Sequence, residues 1–224
     1  MADKKVPKIA DLYDLEHTIA ADLFAGKEYP WEVLDGIKEF ILALGPTLDP
    51  EEYANPAEGV WVAKDAAVFP SAYLGSPCII DHGAEVRHCA FIRGSAIVGK
   101  NAVVGNSVEL KNVVLFDNVQ TPHYNYVGDS ILGYKAHMGA GSITSNVKSD
   151  KTLVVIKAEE EQIETKRKKV GAMLGDCVEV GCNSVLNPGT VIGRHSNVYP
   201  TSSVRGVVPA ESIYKGAGKI VSKN

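Results

Sequence analysis

The chain has 224 residues, of which 45% are hydrophobic and 22% charged, and its formal net charge is -4; these values are typical of a globular protein of one or two domains. The acidic balance predicts no general affinity for nucleic acid. The sequence contains neither a long apolar run nor a secretory signal, so we expect a cytoplasmic protein. Its four cysteines form no C-x-x-C pair and are expected to stay reduced.

The N-terminal region, residues 1–59, is predicted to form a helical cap and a linker. Between about Lys8 and Gly45, two stretches, 9–23 and 31–42, carry apolar residues at the spacing of one helix face. Because the terminal coils of a repeat protein need covers, we expect this segment to cap the open N-terminal end of the next domain. Docking of a partner is the alternative.

From residue 60 onward, an apolar residue recurs at every sixth position. The first series is Val62, Val68, Leu74, Ile80, Val86, Ile92, Val98, Val104, Leu110 and Phe116, and the second is Leu174, Val180, Leu186, Ile192, Val198 and Val204. A period of six fits neither a helix nor an ordinary strand, but it is typical of a β-solenoid. Glycines such as Gly99 and Gly105 follow where a corner needs an unusual backbone angle or a close approach. We therefore predict a mainly β, parallel solenoid over residues 60–224, whereas a sandwich with chance spacing is the alternative.

The repeat is interrupted twice, at residues 117–126 and at about 147–170. Insertions leave a solenoid at its corners and often build its binding face, so both interruptions are candidate sites of chemistry. The last stretch, from Val208 onward, leaves the repeat and is expected to cap the C-terminal end.

The segment TPHYNYVGDSILGYKAHMGAGSITSN, residues 121–146, is more specific than any single hexapeptide. It resembles the acetyltransferase domain of the bifunctional glucosamine-1-phosphate acetyltransferase / N-acetylglucosamine-1-phosphate uridylyltransferase family, through His123, Tyr126 to Asp129, Gly139 to Gly141 and Asn146. The likeness extends over most of residues 60–215.

This resemblance implies a left-handed parallel β-helix that assembles as a homotrimer with active sites between subunits. It also implies transfer of an acetyl group from acetyl-CoA to an amino sugar phosphate, such as glucosamine 1-phosphate in UDP-N-acetylglucosamine biosynthesis, without a metal. The short segment that precedes the predicted solenoid, 1–59, contains no glycine-rich phosphate loop. We therefore do not expect uridylyl transfer.

The resemblance assigns the catalytic and substrate-binding roles to individual residues. His123 matches the catalytic histidine and is expected to act as general base, because histidine titrates near neutral pH. Arg93 and Lys111 match phosphate-binding positions, and their spacing of three hexapeptides places them one above the other in a coil of that length. Tyr126 and Asn146 match contacts to the sugar, with packing and a turn as the alternatives.

The coenzyme contacts follow from the same resemblance. Ala140 matches a position where the backbone meets the acetyl group or the pantetheine arm. Cys182 and Pro200 stand where the family usually has serine and alanine near the coenzyme, and Lys215 lies near an arginine that contacts it. His137 replaces an asparagine that contacts the sugar, so we expect it to reshape the sugar pocket or to add a second titratable group.

Two other functions stay open. A metal hydrase of the γ-carbonic-anhydrase type shares the β-helix but needs three converging histidines, and His82 and His88, one hexapeptide apart, would lie around one coil. A trimer that binds sugar phosphate without catalysis is the second alternative.

The basic run 166–169 either contacts the phosphates of coenzyme A or lies in solvent. A covalent mechanism through Cys182 is not expected, because no histidine accompanies it in sequence.

Overall fold

The computed structural model describes residues 5–223, which form a parallel β-solenoid with a helical segment at its side. The outermost positions of the predicted domains, residues 1 and 224, lie outside the described residues. The helices are α1 Ile9–Leu12 and α2 Ile37–Leu44, with 3-10 turns at Leu15–His17, Ala21–Phe24, Pro30–Val33 and Gly45–Thr47. The strands are β1 Tyr53–Ala57, β2 Val60–Ala63, β3 Ala67–Val68, β4 Tyr73–Leu74, β5 Cys78–Ile80, β6 Glu85–Val86, β7 Phe91–Ile92, β8 Ala96–Val98, β9 Val103–Asn106, β10 Glu109–Leu115, β11 Gln120–His123, β12 Tyr126–Leu132, β13 His137–Met138, β14 Ile143–Thr144, β15 Val155–Lys157, β16 Gln162–Glu164, β17 Ala172–Leu174, β18 Glu179–Val180, β19 Val185–Leu186, β20 Thr190–Ile192, β21 Asn197–Val198, β22 Ser203–Val204, β23 Val207–Val208, β24 Ser212–Tyr214 and β25 Ile220–Ser222.

The solenoid strands stack into three columns, each pairing with the strand one coil away. Column one contains β2, β5, β8, the second halves of β10 and β12, β17, β20 and β23. Column two contains β3, β6, β9, β11, β13, β18, β21 and β24. Column three contains β4, β7, the first halves of β10 and β12, β14, β19 and β22. Strands of two or three residues persist because each shares its hydrogen bonds with both neighbouring coils. The predicted fold class, a left-handed parallel β-helix, is confirmed.

The first predicted interruption is not an insertion, because residues 117–126 complete a coil of the solenoid through β11. Leu110 pairs with Val127, so this coil is one residue shorter than a coil of three hexapeptides. The interior position of column two holds Thr121, which is fully buried and donates its hydroxyl proton to the carbonyl of Val103 at 3.0 Å. The six-residue pattern of apolar residues therefore stops at this coil, although the coil still stacks on its neighbours.

Phe116 shows the consequence of this shortened coil. The periodicity predicts that Phe116 points into the solenoid, but Leu115 takes that place, paired with Val98 and Leu132. The Phe116 ring instead contacts the N-terminal segment, with its centroid 5.1 Å from that of Tyr13. One residue of slip thus moves a large side chain from the inside to the outside.

The glycines that follow the aliphatic positions serve close approach. A Cβ at Gly105 would lie 1.6 Å from the carbonyl oxygen of Pro122, and one at Gly181 would lie 2.4 Å from the nitrogen of Pro200. Neither glycine has a positive φ, whereas Asn101 turns a corner at φ 55°. Glycine is required here because the next coil passes directly over it.

The helical segment lies along column one rather than over the N-terminal end. Six outward-facing side chains in the middle of that column are fully buried, namely Ile79, Ile97, Val114, Ile131, Met173 and Val191. α2 contacts β8 and β10, and the turn Pro30–Val33 contacts β12. The apolar face predicted for this segment therefore packs against the side of the solenoid, where the larger apolar surface is.

The first predicted helix, 9–23, forms only α1 and two 3-10 turns. The reason lies in its backbone hydrogen bonds, several of which go to the solenoid. The carbonyl of Leu12 accepts from the N–H of Asp176, and that of His17 accepts from the N–H of Asp117. These carbonyls bond to solenoid corners, so a continuous helical ladder does not form.

Asp176 is the main polar anchor of this segment. Its carboxylate accepts from the N–H groups of Asp14 and Tyr134, each at 2.8 Å, and pairs with Arg194 at 3.2 Å. Burial raises the pKa of this carboxyl.

We expect Asp176→Ala to lower the free energy of unfolding by roughly 2–4 kcal/mol, because two N–H groups lose their acceptor. Urea unfolding followed by circular dichroism would measure this, with the exposed Asp22→Ala as control; equal midpoints for both variants would show that water replaces the carboxylate.

A long insertion lies between β14 and β17, after the fifth coil. It contains the hairpin β15–β16, and an antiparallel bridge between Val147 and Lys169 closes its base. Val154 and Ile156 are buried, and a Cβ at Gly189 would lie 2.7 Å and 2.9 Å from their side chains. The insertion thus folds back against the solenoid.

None of the helices formed by residues 5–223 has the length and apolar composition of a membrane span.

Candidate active site

The predicted site residues come together in three regions of the solenoid surface. His123, Ala140, Cys182 and Pro200 lie in successive coils at the corner between columns two and three; His137 and Lys215 lie on or beside column two; Arg93, Lys111, Tyr126 and Asn146 surround the corner between columns three and one. Segments far apart in sequence meet because the chain returns to the same side once per coil.

A groove of about 470 Å³ runs along the outer face of column two. His137, Cys182 and Pro200 line this groove, together with Glu179 and Tyr199. The structure therefore places His137, predicted as a sugar contact, beside two residues predicted to contact the coenzyme. Glu179 and Tyr199 were missed by the sequence analysis.

His137 forms a dyad with Glu179. The two residues are paired across β13 and β18, and Nδ1 of His137 lies 2.7 Å from Oε2 of Glu179. A carboxylate at Nδ1 holds the imidazole in one orientation and directs Nε2 towards accepting a proton. Their sequence separation of 42 covers one coil plus the insertion, so their spacing in the sequence gives no sign of the contact.

Lys215 reaches the same face from the C-terminal coil. Its Nζ lies 6.0 Å from the ring centroid of Tyr199, which is 46% exposed. The ring of Tyr199 and the ring of Pro200 thus form an apolar wall with a cation above it. Such a wall suits a flat or apolar ligand group with a nearby negative charge.

His123 lies at a rigid corner with an exposed side chain. Its N–H donates to Oδ1 of Asn125 at 3.2 Å, and its carbonyl accepts from the N–H of Gly141 in the next coil at 3.0 Å. The buried Asn125 in turn donates to the carbonyls of Gly139 and Ser142. These bonds hold the backbone of His123 beside the Gly139 to Gly141 segment. Among the described residues, no carboxylate lies within ion-pair distance of the His123 ring.

The buried carboxylate of Asp129 organises the corner between columns three and one. Its Oδ1 accepts from Nζ of Lys111 at 2.8 Å and from Nδ2 of Asn112 at 3.0 Å, and its Oδ2 accepts from Nδ2 of Asn146 at 2.5 Å. Nδ2 of Asn146 also lies 3.3 Å from the hydroxyl of Tyr126. Burial and the charge of Asp129 raise the pKa of that hydroxyl. Asp129 therefore orients two of the residues predicted to contact the sugar phosphate, Lys111 and Asn146, and it reaches Tyr126 through Asn146.

Arg93 and Lys111 are neighbours in adjacent coils. Ile92 pairs with Leu110, so the residues that follow them stand one above the other, as their spacing predicts. Each cation already has a carboxylate partner: Nη1 of Arg93 lies 2.9 Å from Oε1 of Glu109, and Lys111 pairs with Asp129. The exposed Arg93 pair is weak and open to exchange, whereas the Lys111 pair is half-buried. Their roles in phosphate binding stay predictions.

The basic run 166–169 borders this same corner. It lines a groove with Lys111, Asn112 and Asp129. It does not line the column-two groove that contains Cys182 and Pro200. The run therefore lies with the residues predicted to bind the sugar phosphate, rather than with those predicted to bind the coenzyme.

The histidines considered for a metal site have other partners. Nδ1 of His82 lies 3.0 Å from Oδ1 of Asp65, and the ring of His88 packs against Phe69 at 4.5 Å between centroids. Across residues 5–223, no group of three or more His, Cys, Asp and Glu side chains could hold a metal ion.

A known domain family matches the centre of this chain. The family model described as the GMPPB C-terminal domain covers residues 74–192, which is more than half of the chain. The chain belongs to this family. The match begins within β4 and ends with β20, so it includes the insertion and all the predicted site residues except Pro200 and Lys215.

Curated relatives of the chain are bifunctional proteins. The bifunctional protein GlmU of Methanococcus maripaludis is 32% identical over 111 residues, which cover 49% of this chain and 27% of that protein. The bifunctional sugar-1-phosphate nucleotidylyltransferase/acetyltransferase of Sulfurisphaera tokodaii is 31% identical over 102 residues, which cover 46% of this chain and 25% of that protein. The chain thus spans about a quarter of the length of these relatives. They confirm the predicted resemblance and support the prediction of an acyltransferase.

Solved structures of acetyltransferases are similar to the chain at lower sequence identity. A mutant of the perosamine N-acetyltransferase of Caulobacter crescentus, in complex with CoA and GDP-perosamine, is 16% identical, with a TM-score of 0.32 and coverage of 71% of this chain and 55% of that chain. The polySia specific acetyltransferase NeuO is 13% identical, with a TM-score of 0.48 and coverage of 71% and 80%. The fold assignment rests on the strand pairing described above.

Proposed function

We propose that the chain is an acetyl-CoA-dependent N-acetyltransferase whose acceptor is an amino sugar phosphate, with glucosamine 1-phosphate as the first candidate. One observation carries this proposal. The hydrogen bond from the N–H of Gly141 to the carbonyl of His123 joins the predicted base to the Gly139 to Gly141 segment, which the family resemblance assigns to the acyl group. The names of the curated relatives agree with sugar acetyl transfer.

The reaction is a direct transfer between the two substrates. The sugar amine attacks the thioester carbonyl, a C–N bond forms, and the C–S bond breaks to release coenzyme A. His123 accepts the proton of the attacking amine, and that proton can then pass to the leaving thiolate. The N–H of Ala140 stabilises the charge that develops on the carbonyl oxygen. Arg93 and Lys111 hold the phosphate, while Tyr126 and Asn146 contact the sugar.

His137 offers a second assignment of the base. Glu179 orients its ring, and it lines the groove that contains Cys182 and Pro200. A histidine held by a carboxylate is the usual arrangement of a general base. The two histidines therefore compete for the same role, and kinetics of single variants separate them.

The assembly and location belong to the same proposal. The family resemblance supports a homotrimer with sites between subunits, a cytoplasmic location and a role in UDP-N-acetylglucosamine supply. Light scattering of the purified protein tests the trimer: a mass three times that of the 24.0 kDa chain is expected, and a monomer that is fully active would contradict shared sites.

The decisive experiment measures release of free coenzyme A from acetyl-CoA, with glucosamine 1-phosphate and galactosamine 1-phosphate in parallel. We expect saturable release with one of these sugars and formation of the N-acetyl product, followed by mass spectrometry. Release with neither sugar, from a protein that still binds acetyl-CoA, would point to another acceptor. Failure to bind acetyl-CoA would reject the enzyme and favour the non-catalytic sugar-phosphate-binding protein.

A further inference from the structure

The insertion between β14 and β17 brings four consecutive basic residues to the corner organised by Asp129. Lys166, Arg167, Lys168 and Lys169 line a groove with Lys111, Asn112, Asp129 and Asp35, here called the basic groove. Its volume is about 510 Å³, which is room for more than a single ion. Five cationic side chains face two carboxylates at this place.

The backbone of the basic run is held in place from both sides. The hydroxyl of the buried Thr165 donates to the carbonyl of Val154 at 2.7 Å and accepts from the N–H of Arg167 at 3.2 Å. Val154 in turn donates its N–H to the carbonyl of Arg167. Lys166 adopts a left-handed conformation with φ 56° between these anchors. The run is therefore a fixed element and not a loose charged loop.

The end of the run is tied to the solenoid itself. Val170 donates its N–H to the carbonyl of Asn146, and Gly171 donates its N–H to the carbonyl of Asp129. The lysines at 168 and 169 thus directly precede the backbone that contacts the Asp129 network. A displacement of the run would disturb Asn146 and Asp129 with it.

The charges of this groove are only partly balanced. Lys111 pairs with Asp129, and Arg167 pairs with Asp35 and donates to the carbonyl of Glu32 at 3.4 Å. Lys166, Lys168 and Lys169 form no ion pair with another residue of the range 5–223. Three lysines held close together repel one another, and an anion with several acceptor oxygens relieves that repulsion.

We propose that the basic groove binds the phosphate of the acceptor and that Lys166, Lys168 and Lys169 bind it together with Lys111. The identity of the ligand rests on the proposed function; the anion site itself does not. The groove contains Lys111, which is predicted to bind the phosphate, and Asp129, which accepts from Lys111 and Asn146, whereas Cys182 and Pro200 lie in the groove of column two. Coenzyme A and the sugar phosphate both carry phosphate groups of the same chemistry, so the test compares the binding of both substrates.

The test uses the variant in which Lys166, Lys168 and Lys169 are all replaced by glutamine. A matched control replaces Lys64, Lys100 and Lys151, which are exposed and do not line the basic groove, by glutamine. Calorimetric titration with inorganic pyrophosphate should show affinity reduced about tenfold in the first variant, because three ion pairs are lost, and unchanged affinity in the control. Replacement of the same three lysines by arginine should retain binding.

Titration with coenzyme A and acceptor kinetics identify the source of the phosphate. We expect unchanged affinity for coenzyme A and a raised KM for the sugar phosphate in the glutamine variant. A loss of coenzyme A affinity with unchanged acceptor KM would assign the groove to the coenzyme and overturn the proposal. Equal pyrophosphate binding by all proteins, or none by the wild type, would overturn it as well. Because pyrophosphate binding needs no turnover, an inactive protein that shows the lysine-dependent binding would reject the acetyltransferase and keep the anion site.

Discussion

Replacement of His123 by alanine is expected to lower kcat for coenzyme A release about 10²- to 10⁴-fold, which is the usual contribution of a general base. The KM for acetyl-CoA should change little, because the fixed backbone of this corner depends on Asn125 and Gly141 rather than on the imidazole. Steady-state kinetics with acetyl-CoA and the acceptor measure both quantities.

Two further variants make this result specific. His195, an exposed histidine at another corner, serves as control, and His195→Ala should retain full activity. His137→Ala and Glu179→Gln test the competing dyad. If either of these abolishes turnover while His123→Ala remains active, the base is His137, held by Glu179. If only His123→Ala is inactive, His137 shapes the pocket without taking the proton.

Replacement of Ile131 by aspartate is expected to destabilise the fold by more than about 4 kcal/mol, because it would bury a carboxylate without a partner. Ile131 faces outward from column one but is fully buried under the N-terminal segment. Urea unfolding followed by circular dichroism would measure the change. Ile131→Ala should cost roughly 2–5 kcal/mol, so a measurable value remains if the aspartate variant does not fold.

The matched control lies on the outward side of column two. Gln120 is exposed in the middle of the solenoid, and Gln120→Asp should change the free energy of unfolding by about 0.5 kcal/mol or less. Similar stability of the two aspartate variants would contradict the position of the N-terminal segment along column one. It would indicate instead that the segment detaches readily and leaves the column exposed.

The period of six allowed the fold class to be predicted, and its failure at residues 117–126 shows the limit of that signal. One coil is a residue shorter, and Thr121 takes an interior position, so the apolar residues no longer recur at every sixth position although the topology is unchanged. Hydrogen bonding with the coils above and below keeps the strand in place, and this pairing is invisible in the local pattern. The same slip explains why Phe116 packs against Tyr13.

The spacing of one coil also decided which site contacts could be anticipated. Arg93 and Lys111 are one coil apart, and the structure places them side by side. The contact between His137 and Glu179 spans 42 residues because the insertion intervenes, and no local spacing signals it. Asp129 was part of the recognised motif, but its central role requires knowing that asparagines from neighbouring coils reach it.

The amino-acid sequence by itself determined the solenoid, its interior aliphatic stacks and the motif around His123, because these depend on a short-range period and on local residue types. Only the tertiary structure decided that the N-terminal segment covers column one, that His137 joins Cys182 and Pro200, and that the basic run meets Lys111. The physical reason is the same in each case. These contacts depend on where an insertion or a non-repeating segment folds back onto the solenoid. That position is determined by the apolar area and the charges of the whole surface, and a local sequence pattern contains neither.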